Sequence, residues 1–251
     1  MTDRRPTIAN TGPRVGVELH DITGTTISTD GTVLENVRIK GTVTIAAHDV
    51  TIRNFMLDAN GAPYGIRADQ NKTGLLLDRG TLVSATNAAV YGSNYHARRL
   101  NIYNQAGDAL KADSDCTIEW CYMHNLGMQA GKHADGLQMS LGTSVAMRYC
   151  NIDMPIDQIG FLSNACAIIQ AASGPVDDIL LKGNWFNGGN YTLFFRDKGH
   201  GAPTNVRLIS NRFGRNYRYG LLNTDGPVYQ SGNVWDDTGE AIFDLSTVKK
   251  P

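Results

Sequence analysis

A chain of 251 residues with 23 Lys plus Arg against 24 Asp plus Glu has no basic field for nucleic acid and no acidic run that reads as a disordered tail. Its 27 Gly, many Asn and Thr, and lack of any long helical apolar period point to an all-β chain rich in tight turns. No apolar run approaches about 18 residues, so no membrane insertion is expected, and the opening MTDRRPTIANTGP contains no signal peptide.

In chain order, residues 1–14 read as a polar N-terminal extension, 15–246 as one repeat domain and 247–251 as a C-terminal tail. Within the domain one segment recurs as TVLENVRI, VTIRNFML, LLLDRGTL, YHARRLNI, CTIEWCYM, VAMRYCNI, ILLKGNWF, VRLISNRF and VYQSGNVW. Aligned on Leu34, Ile52, Leu77, Ala97, Ile118, Met147, Leu181, Leu208 and Gln230, the copies lie on average about 24 residues apart, which suits a coil of three short strands and three turns. Five positions after each anchor stand Ile39, Leu57, Leu82, Ile102, Met123, Ile152, Phe186, Phe213 and Trp235, all apolar. Such columns are the inward stacks of a solenoid, in which a coil buries its apolar face only against its neighbours. Three positions after the anchor the last copies carry Asn184, Asn211 and Asn233, expected to bond one another along the axis, with Cys121 and Cys150 in the same column as core thiols. The four cysteines have no metal-site spacing.

A second strand precedes many of these copies: YGIRAD, AAVYGS, DALKAD, DGLQMS, YTLFFRD, YGLLNTD and EAIFDLS. Its inward residues are Ile66, Val90, Leu110, Leu137, Leu193, Leu221 and Ile242. Alternation then turns Arg67, Tyr91, Lys111, Gln138, Phe194, Leu222 and Phe243 outward as one ladder, polar in its middle and apolar at its far end.

The stretch Asn104 to Gly142 holds one phrase twice, GDALK and ADGLQ, so stacked coils place Asp108 over Asp135. The longest coils lie beside it, with extra residues at His124 to His133, Pro155 to Asn164 and Asp197 to Pro203, where loops can wall a groove. His96 and His124 read as turn residues, and Tyr91, Trp120, Tyr122 and Tyr149 as sugar platforms, although Trp120 and Tyr149 share a column and can stack on each other. The first 14 residues contain no amphipathic helix and few residues follow Asp244, so an end of the solenoid is expected to be covered by another chain or a second copy.

These repeats resemble the right-handed parallel β-helix superfamily, the pectate-lyase-like solenoids, over roughly residues 15 to 246. The resemblance implies a single-stranded right-handed parallel β-helix of about nine or ten coils. The opening, NTGPRVGVELHDITGTTIST with GTVLENVRIKGTVTIAAHDVTIRN, is similar to β-helix proteins of actinobacteria and of the phages that infect them. That likeness implies a minor tail or receptor-binding role, in a virion or outside cells, with a trimer or other tail proteins as partners.

Polygalacturonases, a β-helix family, cut glycosidic bonds with aspartates at the head of neighbouring strands, positions that Asp108 and Asp135 resemble. The family's adjacent aspartate doublet is absent; Gly199-His200-Gly201 falls in a loop two coils on, and Arg38-Ile39-Lys40 lies at the other end. β-Elimination on a uronic-acid polymer is the other enzymatic chemistry, with Lys111, His133, Arg196 or Lys198 taking the proton and Asp108, Asp113 and Asp135 as calcium ligands; otherwise no cofactor is expected. Structurally, Asp108 and Asp135 can instead cap turns by accepting backbone N–H bonds. The candidate catalytic residues are therefore Asp108, Asp135, His133 and Lys111, and the candidate sugar contacts Arg67, Tyr91, Asp113, Gln138, Arg196 and Lys198. Two functions stay open: a glycan-recognising module of a larger assembly, and a free polysaccharide lyase or hydrolase.

Overall fold

The computed structural model describes residues 5–128 and 133–250. Lys132 and the rest of 129–132, in the long loop that starts at His124, lie outside the described residues, as do residues 1–4 and 251. Two all-parallel sheets form, one of sixteen strands and one of nine. Strands next to each other in a sheet are one winding apart in sequence: Asp108–Ala112 pairs with Ala88–Gly92 on one side and Ala134–Met139 on the other. That is the pairing of a parallel β-helix.

The three-sided winding follows from where the chain tolerates a corner. Leu75–Val83 spans two sides as one strand, while the next winding breaks at Arg99 into Tyr95–Arg98 and Asn101–Ile102, both still paired with it. Corners need left-handed backbone, which Asn, Asp and Gly adopt most readily. One corner column, Asn94, Asp115, Ser144, Asp178 and Asn205, has φ between 50° and 60°. A second runs Asn36, Asn54, Arg79, Arg99, Trp120 and Tyr149, with φ of 53° to 57°. It continues at Gly183, where φ is 66° and an added Cβ would stand 2.7 Å from the Tyr149 ring.

The columns expected from the repeats are the observed registers. Leu34 pairs with Ile52, Ile118 with Met147 and Leu181 with Leu208, and the second column runs in register from Ile39 to Trp235. Most of these residues are fully buried, and each inward Ile or Leu contributes roughly 1.5–3 kcal/mol through the apolar surface it removes from water. The asparagine stack also forms: Nδ2 of Asn184 donates to Oδ1 of Asn211 at 3.1 Å, and Asn211 donates to Asn233 at 3.1 Å. Cys150 and Cys121 extend that column, the Cys121 N–H donating to Cys150 Sγ at 3.4 Å, and all four cysteines are free and buried. Burial pushes the Cys116 thiol up to about 12, so it packs as a small hydrophobe.

Several expectations need correction. The strand Ser163–Ala171 belongs to the nine-stranded sheet between Ala134–Met139 and Tyr191–Asp197, so Ile168 joins the outward ladder between Gln138 and Phe194. In the last winding Phe194 pairs with Asn223, and Leu222 is buried opposite Leu193. EAIFDLS is not a further strand of this sheet: Ala241 bridges Val234 in antiparallel fashion and Leu245–Thr247 form a 3₁₀ turn. Ile242 and Leu245 insert into the core and Lys249 bridges Gly220, so the chain's own C-terminal segment packs over that end. His96 and His124 lie in strands, not turns. His124 stacks between Tyr103 and Tyr122, where burial pushes its imidazole below its usual range. Residues 5–14 run lengthwise over the sixteen-stranded sheet: Arg5 pairs with Asp236 at 2.9 Å, Asn151 bonds the Pro6 carbonyl, and the Arg14 N–H donates to Asn54 at 2.6 Å.

Candidate functional site

The outward ladder of the nine-stranded sheet runs in register through Arg67, Tyr91, Lys111, Gln138, Ile168, Phe194 and Asn223. Tyr91 stacks on Tyr64 with ring centroids 5.0 Å apart. Beside the middle of the ladder lies a depression of about 310 Å³ into which Asp108, Lys111, His133, Asp135 and Gln138 all project. The strands bring together the residues that the doubled motif singled out, because Leu110 and Leu137 pair in register and fix their neighbours. His133 stands exposed at the rim, directly after residues 129–132, which lie outside the described residues.

The aspartates are not a pair of open carboxylates. Asp108 is 4% exposed and Asp135 3%. Asp108 Oδ1 accepts the backbone N–H of Asp135 at 2.8 Å, and Lys111 Nζ lies 3.3 Å from Asp108 Oδ2. Lys111 Nζ also donates to Asn87 Oδ1 at 2.6 Å. Asp135 Oδ1 accepts from Asn164 Nδ2 at 2.8 Å, and the Ala165 amide also bonds this carboxyl. Burial, and then the neighbouring Asp108, raise the Asp135 carboxyl well above the usual carboxylate range, against the opposing pull of Asn164, Lys111 and the Ala165 amide. Each carboxyl therefore bonds the main chain of the next winding, which is the turn-capping role, while the depression still reaches both.

The other predicted contacts separate. Arg67 is exposed and Tyr91 half-buried on the ladder, both outside the depression. Asp113 is 6% exposed, its Oδ2 accepting from Gln70 Nε2 at 2.9 Å, and burial raises its carboxyl. Arg196 pairs in register with Gln170 at the edge of the depression, but its guanidinium is held by Asp225 at 2.7 Å. Lys198 is exposed in the turn beyond. Trp120 and Tyr149 stack on each other at 4.9 Å in the corner column of the sixteen-stranded sheet, away from the depression. Among the described residues no three His, Cys, Asp or Glu side chains converge as metal ligands.

The sequence reading missed Asn87, Asn164, Ile168 and Gln170, which also line the depression. A signal was present: an Asn directly before an apolar strand recurs in NAAVY, NACAI and NYTLF. Two of these link up, Asn190 Nδ2 donating to Asn164 Oδ1 at 3.1 Å, and so extend the chain of polar contacts to Asp135. A larger hollow of about 870 Å³ opens on the other sheet around Tyr229. Its acids are already engaged, Asp177 by Thr204 and Asn205 and Asp178 by Arg207, which leaves fewer free polar groups than the smaller depression.

No protein-family model and no curated protein matches the chain. Among solved structures, the catalytic domain of a GH87 α-1,3-glucanase in complex with nigerose is similar at TM-score 0.41 and 10% identity over 87% of this chain. An alanine variant of such a domain in complex with tetrasaccharides is similar at TM-score 0.40 and 11% identity. The chain spans 64% of the length of those domains.

Proposed function

We propose that the nine-stranded sheet is a glycan-recognising face and that a polysaccharide lies along its ladder, across the depression between Lys111 and Gln138. The supporting observation is the depression itself: amide, ammonium and imidazole groups of Asn87, Lys111, His133, Gln138 and Gln170 gather there, between the Tyr64–Tyr91 stack and the apolar Ile168 and Phe194 of the same sheet. Sugars are bound by this combination, hydrogen-bonding groups for hydroxyls and aromatic faces for C–H surfaces. Parallel strands about 4.8 Å apart also offer a repeat close to the length of one sugar unit. A glycan panel probed by direct binding tests the reading; absence of binding to every neutral and acidic polysaccharide would refute it.

The finer structural reading is a single-stranded right-handed β-helix in which the nine strands of this sheet mark nine windings. The finer biological reading, a phage minor tail or receptor-binding component acting on host cell-surface polysaccharide, rests on the resemblance of the opening segment. It predicts a trimer or attachment to tail proteins, and a compact monomer by light scattering at micromolar concentration would count against it.

One observation favours a second reading, cleavage of the bound glycan: Asp135 keeps its proton more readily than an ordinary carboxylate and shares the depression with Asp108, Lys111 and His133. A proton-holding carboxyl beside a second carboxyl is what glycoside hydrolysis requires. On this reading Asp135 protonates the glycosidic oxygen as its bond to the anomeric carbon breaks, a water forms the new bond to that carbon and gives its proton to the Asp108 carboxylate, and an acidic polysaccharide is the substrate class. Asp135→Asn then abolishes release of reducing ends with binding retained; no product from any glycan with the wild-type chain removes this reading and leaves recognition alone.

A further inference from the structure

Where residues 14–17 cross the sixteen-stranded sheet, positive charge exceeds the acids available to neutralise it. The sheet carries a column of alternating sign there, Glu35, Arg53, Asp78, Arg98 and Glu119, each in register with the next. Glu35 holds Arg53 at 2.7 Å, and Asp78 holds Arg98 at 3.0 Å and Arg99 at 3.5 Å. Arg14 and Arg79 form no ion pair among the described residues. Both line a cavity of about 560 Å³ together with Arg53 and Arg98.

Two further observations point the same way. Arg79 stands at a corner beside Arg99 of the next winding; burial and the charges of Arg99, Arg14 and Arg98 push its guanidinium below its ordinary value, opposed only by Asp78. The Nε of Arg98 is buried without an acceptor, which is unfavourable unless something supplies one.

We infer that this cavity binds a dianionic oxyanion, sulfate or phosphate, either free or esterified to a sugar. Two guanidinium groups without acids match two negative charges, and the planar forks of Arg donate paired N–H bonds to tetrahedral oxyanions. The cavity lies on a different sheet from the glycan face, so it stands or falls independently of the reading above.

Thermal unfolding of the full chain at matched ionic strength tests it, comparing inorganic phosphate with chloride and glucose 6-phosphate with glucose. Phosphate is expected to raise the wild-type Tm by about 3 °C or more for each tenfold excess over Kd. That rise disappears in Arg14→Gln and in Arg79→Gln. Without phosphate, Arg79→Gln melts at or above the wild type, because it relieves repulsion among arginines. A rise with glucose 6-phosphate as well assigns the group as one presented on a sugar, and a rise with the inorganic ion alone assigns the free ion. No rise in the wild type, or a rise that persists in both variants, overturns the proposal.

Discussion

Asp108 Oδ1 accepts the backbone N–H of Asp135 at 2.8 Å, so the two aspartates that the sequence repeats are joined side chain to main chain. Asp135 passes the pattern on to Asn164 and Ala165. The repeated Asp is thus a structural rung first, and any chemistry at the depression operates on carboxyls already held in place.

Removal of the Asp108 carboxylate strands the Asp135 amide and takes from Lys111 its carboxylate neighbour, leaving the bond to Asn87. Asp108→Ala is expected to cost roughly 2–4 kcal/mol and Asp108→Asn less, since an amide oxygen still accepts the N–H. Urea denaturation measures both; a loss below about 0.5 kcal/mol for Asp108→Ala would mean the rung contributes nothing.

Asp135 sets a pH dependence whose sign follows from its raised pKa. Burial and Asp108 make the folded chain hold this proton more tightly than the unfolded chain, where the group titrates near its ordinary value of about 3.9. Its stabilising contribution is complete below that value and is lost as pH rises through the folded pKa. Asp135→Asn removes the titration, so the variant gains stability relative to the wild type as pH climbs from about 4 towards 7. Parallel stability curves for the two chains over that window would contradict the assignment.

His124 works in the opposite direction. Its imidazole is pushed down by burial between Tyr103 and Tyr122, so below about 6.5 the unfolded chain binds the proton more readily. Stability from this group is present at neutral pH and declines as pH falls below that value. His124→Phe, which keeps the stack, should flatten the acid limb of the curve measured by thermal unfolding, and an unchanged limb would exclude His124 as its source.

In the asparagine column, Asn211 Oδ1 accepts the Asn184 N–H at 3.0 Å while its Nδ2 donates to the Leu181 carbonyl at 2.9 Å, all of it buried. Asn211→Ala leaves several main-chain groups without partners, and a loss of about 3 kcal/mol or more is expected by chemical denaturation. A loss near that of an exposed Asn→Ala change would show that water replaces the amide.

Most of the winding was legible because its physics is repetitive: a column such as Ile39, Leu57, Leu82 and Ile102 is apolar at every coil, and stacking admits no other arrangement. The Cys121, Cys150 and Asn184 column was legible for the same reason. What escaped were places where the spacing changes. Ser163–Ala171 follows a long loop, so its Ile168 fell outside the expected ladder. Leu222 was read one residue out of register because Leu221 and Leu222 are both apolar and both buried, which erases the alternation. The C-terminal cover was missed since EAIFDLS alternates like a strand yet turns back through Ala241. At the site, Asp108, Lys111, His133, Asp135 and Gln138 were found together as expected, whereas the hydrogen bond that makes Asp108 a rung depends on where an amide points, and composition carries no trace of that.

The most direct measurement of the central claim is the affinity of this chain for a polysaccharide found on a glycan panel, repeated with Tyr91→Ala and Gln138→Ala, with the exposed Tyr229→Ala on the other sheet as a control. The account predicts that each ladder variant loses about tenfold or more in Kd, about 1.4 kcal/mol, with melting temperature unchanged and the control unaffected. Equal affinity for all four chains would place the glycan elsewhere and contradict it.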